Sequence, residues 1–82
     1  MDSLKYVIVR GEMGIETPIV FPGFINHADV TRNCAPISAG FCAPYEDDNG
    51  QFSCWGSSVT LKLDSRGDED AKIINEFFKP RV

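Results

Sequence analysis

The stretch from Gly50 to Phe78 sets the tightest limits on the fold, because it joins an alternating apolar run directly to an amphipathic helical pattern. Val59, Leu61 and Leu63 alternate with Thr60 and Lys62, the period of two expected of a half-buried strand. Ser65, with Asp68 three residues on, predicts a helix start, since a hydroxyl and a carboxylate there satisfy free backbone N–H groups. Asp68, Glu69 and Asp70 then sit where the helix dipole favours negative charge. Ala71, Ile74, Phe77 and Phe78 share one stripe, with Ile73 beside it, and Pro80 limits continuation. This is a packing unit and carries no catalytic signature; one of Phe77 and Phe78 is expected to point inward.

Upstream, the β-branched run Tyr6-Val7-Ile8-Val9 within Lys5 to Arg10 predicts a first strand, ended by Gly11 and Gly14. Ile15, Thr17, Ile19 and Phe21 alternate with Glu16, Pro18 and Val20 and predict a second strand that returns as a hairpin. Pro18 cannot donate a ladder hydrogen bond, so that strand is expected at an edge. After Pro22-Gly23, a short helical turn capped by Asn26 is expected, with Ile25, Ala28 and Val30 over the sheet. Ile37, Ala39, Phe41 and Ala43 predict a third strand, in which Gly40 marks a close backbone approach or a bulge. Asn49-Gly50 then predicts a hairpin. Phe52 and Cys54 have the opposite parity to Val59, Leu61 and Leu63, so Gly56-Ser57-Ser58 is expected to hold a bulge or bend. The expectation is a single α+β domain over residues 1–82, an antiparallel sheet of four or five strands with a C-terminal helix packed on one face.

A chain of 82 residues buries only about 60% of its unfolded surface, so its stability is modest or shared with a partner. Its 43% hydrophobic and 24% charged content argues against disorder. A net charge of -4 disfavours non-specific nucleic-acid binding, which rests on Lys and Arg releasing counterions. No apolar run has the length of a signal peptide core or a membrane span, so a cytoplasmic location and no membrane partner are expected. Cys34, Cys42 and Cys54 are odd in number and widely spaced, which excludes a complete disulfide framework and makes reduced thiols the expectation.

Four groups are candidates for function. His27 with the three cysteines has the residue types of a Cys3His zinc site, but lacks the ligand pairs two to four residues apart that such sites use. His27 paired with one thiol is a nucleophilic arrangement without a local signature; packing or capping is the plainer reading, and neither a cofactor nor a metal is expected. Glu46, Asp47 and Asp48 in the hairpin loop, with Asp64, Asp68, Glu69 and Asp70 at the helix start, lack calcium-loop spacing and read mainly as a solvated face, with partner recognition as the sharper role. Trp55, near Phe52 and Tyr45, falls on the face opposite Phe52 and Cys54 if those point inward, and is then partly exposed as an interface anchor.

The segments His27-Ala28-Asp29-Val30, Ser38-Ala39-Gly40-Phe41 and Cys54 to Leu61, followed by Ser65-Arg66 and Glu69-Asp70-Ala71, resemble short uncharacterised proteins of phages and prophages. The resemblance carries over no functional residue; it implies a setting in which small acidic proteins act as accessory factors on host machinery, including inhibitors of host defence. The expected function is therefore that of a small acidic non-enzymatic binding protein. Its partner is a protein with a basic surface, met through Tyr45, Glu46, Asp47, Asp48 and Trp55, with homodimerisation left open. The alternative is a small-ligand or nucleotide-derivative binder with a pocket at an oligomer interface, and a thiol-dependent enzyme stands behind both.

Overall fold

Alternation in the first two apolar runs decides how the sheet is built. The computed structural model describes residues 3–44 and 51–78. Strands Leu4–Arg10 (β1) and Glu16–Phe21 (β2) form an antiparallel hairpin across a 3-10 turn at Glu12–Gly14, with Tyr6 opposite Val20 and Val7 opposite Ile19. A short helix, His27–Val30 (α1), leads to Pro36–Pro44 (β3), which pairs antiparallel with the other side of β1. Phe52–Trp55 (β4) returns along β3, giving the order β2-β1-β3-β4. Pro18 lies on the outer strand, as its missing N–H requires. The Asn49-Gly50 turn expected between β3 and β4 lies outside the described residues.

The run after Trp55 departs from the expected strand. Gly56 takes φ +83 and turns the chain off β4, and Ser57–Ser58 (β5) pairs with Leu63–Asp64 (β6) as a separate two-stranded sheet that packs against β3. A side chain at Gly56 would also press on the Phe41 ring. Val59, expected to share a buried face with Leu61 and Leu63, sits in the turn and is exposed, whereas both leucines reach the core. The parity conflict is thus resolved by a sharp bend and a new hairpin instead of a bulge within one strand.

Two cores result, one on each face. Tyr6, Ile8 and Cys42 face the C-terminal helix Asp68–Phe77 (α2), whose Ile74 is fully buried among them, with Phe52, Cys54 and Ile73 around the rim. Val7, Phe21 and Ala39 form the opposite core, covered by Ile25, Val30, Leu61 and Leu63. Each aliphatic side chain buried this way contributes about 1.5–3 kcal/mol. Helix α2 crosses its face and packs against both outer strands. At one of them Asn75 Oδ1 accepts from Phe52 N at 2.7 Å while its Nδ2 donates to Phe52 O. The expectation of an inward phenylalanine fails: Phe77 and Phe78 are 57% and 51% exposed, because Ile74 and Ala71 already fill the contact with the sheet.

Candidate functional site

The start of α2 builds the most polar part of the interior. Its N-cap is Gly67, with no side-chain cap; Ser65 Oγ instead accepts from Gly67 N at 2.9 Å, ahead of the helix. Asp70, one turn in, is fully buried and not on the solvated face expected for it. Its Oδ1 accepts from Ser38 Oγ (3.0 Å) and Arg66 Nε (2.8 Å), and its Oδ2 from the Tyr6 hydroxyl (2.5 Å) and Arg66 N (2.9 Å). These four bonds use the full accepting capacity of a carboxylate. The Tyr6 hydroxyl also lies 2.6 Å from Ser65 Oγ, and Arg66 continues to Glu16 on β2 at 2.7 Å. Burial, then the Asp70 carboxyl beside it, raise the Tyr6 phenol well above its ordinary pKa. Arg66 is raised chiefly by its bond to Glu16. The network is saturated and works as a clasp between α2, β1, β2 and β3.

The sheet separates His27 from the two thiols that strand geometry brings together. Cys42 and Cys54 face each other on β3 and β4, on the α2 side. His27 belongs to the opposite side, 4% exposed, edge-on to the rings of Phe21 and Phe41. Its Nε2 is 3.0 Å from the Gly40 carbonyl oxygen, and since a carbonyl only accepts, Nε2 carries the proton. Cys34 is exposed in the loop after α1. Burial pushes both the Cys42 and Cys54 thiols up to about 12. The sheet thus keeps His27 away from Cys42 and Cys54, and among the described residues no three His, Cys, Asp or Glu side chains converge as metal ligands would.

An apolar cleft of about 690 Å3 opens on the same side of the sheet as His27. Trp55 lies opposite Phe41 in the β3–β4 ladder, facing away from α2, and is 43% exposed, as its parity with Phe52 and Cys54 predicts. Phe24, 89% exposed after the Pro22-Gly23 turn, lines the same cleft, together with Leu4 and Pro22. Phe52 is on the α2 side and so does not join Trp55. Tyr45, Glu46, Asp47 and Asp48 lie outside the described residues. Phe24 and Phe41 were missed by sequence reasoning; an aromatic directly after a Pro-Gly turn, where a chain leaves the sheet, is the signal that points to Phe24. No helix among the described residues is long and apolar enough to cross a membrane. Comparison with protein-family models, curated proteins and solved structures finds no match to this chain.

Proposed function

We propose that this chain is a non-enzymatic binding protein that engages a macromolecular partner through the aromatic cleft around Trp55. The observation that carries the reading is that Phe24 and Trp55, both large and solvent-exposed, line one mainly apolar cleft together with Phe41. Aromatic anchors seated in or around such a depression account for most of the affinity in many protein interfaces. The side chains most suited to acid–base or nucleophilic chemistry are meanwhile committed elsewhere: Asp70 is saturated, His27 is packed, and Cys42 and Cys54 are held as thiols. The partner is a protein whose basic groups meet Glu46, Asp47 and Asp48, in keeping with the net charge of -4. The accessory role implied by the phage-type resemblance fits that mode of action.

The test is affinity capture from a host lysate with the wild-type chain and with Trp55→Ala and Phe24→Ala variants of unchanged Tm. The reading expects one stoichiometric protein retained by the wild type and lost from both variants. Capture that is unaffected by either substitution overturns it. The cleft volume also lies in the range of small-ligand sites, which favours ligand binding as the second reading. A small molecule released on denaturing the purified protein, with no protein captured, selects that second reading.

A further inference from the structure

Cys42 and Cys54 are register partners in the β3–β4 ladder, and the hydrogen bonds around them fix which kind of partner they are. Phe52 directs both its N–H and its carbonyl outward to Asn75, away from β3. Its own register partner, Pro44, has no N–H to offer. Pro44 and Phe52 are therefore a non-hydrogen-bonded pair, and because antiparallel pairs alternate, Ala43 with Ser53 is bonded and Cys42 with Cys54 is again non-bonded. Non-bonded pairs bring their Cα atoms to about 4.5 Å with side chains closest. A disulfide spans Cα separations of about 4.4–6.8 Å. Both thiols also emerge on one face, packed against the same cluster under α2.

We propose that Cys42 and Cys54 form a reversible cross-strand disulfide, a redox clasp between β3 and β4, with a small-molecule disulfide such as glutathione disulfide as the oxidant. Cys42 is fully buried, so Cys54, which is only partly buried, reacts first. Its thiolate attacks one glutathione sulfur, the glutathione S–S bond breaks, and one glutathione thiolate leaves. The Cys42 thiolate then attacks the Cys54 sulfur of the mixed disulfide and expels the second glutathione. Two cysteine thiols are oxidised, one glutathione disulfide is reduced to two thiols, and the two protons given up by the cysteines end on the departing thiolates. The groups facing the pair are Tyr6 from β1 and Asp70 from α2, the latter already bonded to Arg66. None of them is a free cation that would stabilise a thiolate, so exchange is slow near neutrality and speeds up about tenfold per pH unit in the mildly alkaline range.

The experiment uses the full chain as Cys34→Ser, which removes the exposed thiol, incubated folded with glutathione disulfide at pH 8.5. The clasp predicts that both remaining thiols disappear, that the intact mass falls by two hydrogens with no glutathione retained, and that Tm rises on the order of 10 °C. Dithiothreitol reverses all three. A stable glutathione adduct on Cys54 with Cys42 still free overturns the proposal, as does a bridge that forms only in urea or two thiols that survive prolonged incubation. Peptide mapping of the oxidised wild-type chain is the independent check, and any bridge through Cys34 counts against the pair. Cys34→Ser with Cys54→Ser must give neither the mass loss nor the Tm rise.

Discussion

Asp70 is the residue on which the most contacts converge, and its bonds make substitution costly in a predictable way. Asp70→Ala leaves the Ser38 and Tyr6 hydroxyls without their buried acceptor, at about 1–3 kcal/mol for each, while Arg66, 30% exposed, keeps Glu16. Asp70→Asn keeps the shape, but each carboxyl oxygen accepts from an N–H of Arg66 that cannot reverse its polarity, so wherever the amide nitrogen lies it meets a donor. That variant is expected to lose about 1–3 kcal/mol by urea unfolding. The acidic trio at the helix start reads as a dipole effect, and for Asp68 and Glu69, which are exposed, that reading agrees with the structure. Asp70 lies four residues before Ile74 on the same helical stripe, but that spacing does not decide burial by itself, since Phe78, four residues after Ile74, stays exposed; the contacts with Tyr6, Ser38 and Arg66 decide it.

The buried thiols and phenol also set an alkaline limit. Cys42 and Cys54 ionise near 9 when the chain is unfolded and near 12 when folded, and Tyr6 is raised in the same direction. Between those pH values the unfolded state binds fewer protons than the folded one, so stability falls as pH rises. The contribution is fully present below pH 9 and is lost by about 12. Tm measured from pH 8 to 11 is expected to decline steadily, and Cys42→Ala is expected to flatten the decline.

At the scale of elements, the hairpin of β1 and β2, the cap at Asn26, the third strand and the C-terminal helix follow from periodicity and turn chemistry, since each is decided by residues close in sequence. The route from Trp55 to Asp64 does not. Three alternating apolar residues satisfy a strand equally well whether they lie in one strand or straddle a turn, and only contacts with β3 and the opposite core decide it. Gly40 marks the same junction from the other side: a Cβ there would run into the Trp55 carbonyl oxygen and stand 3.1 Å from Ser65 Cβ. Gly40→Ala is expected to cost about 1–3 kcal/mol by forcing β4 and the segment before α2 apart, read as a lower urea midpoint. Phe77→Ala, by contrast, removes a ring that is more than half exposed, and is expected to cost about 1 kcal/mol or less in the same assay.

For the whole molecule, covering both faces of one sheet divides the labour between them. The α2 side holds the saturated polar clasp and the facing thiols, while the opposite side carries the aromatic cleft. The cleft's exposed residues contribute little to the cores, so Phe24→Ala with Trp55→Ala is expected to shift Tm by no more than about 4 °C while abolishing partner capture. Half of the cleft was legible, since strand parity alone sent Trp55 outward. The remainder depends on the segment after Pro22-Gly23 bringing Phe24 to the cleft that Trp55 lines, a meeting of segments some thirty residues apart that no local pattern encodes.

Asn75 has a consequence at high concentration. Its amide occupies the outward N–H and carbonyl of Phe52, and Pro18 removes a donor from the other outer strand, so neither flank offers a long unbroken row of free groups to a neighbouring copy. Growth of a fibril by stacking one sheet beside the next is thereby starved of its template. Asn75→Leu is expected to keep the helix but uncover that row, and thioflavin fluorescence of a concentrated, agitated sample should rise sooner than for the wild type.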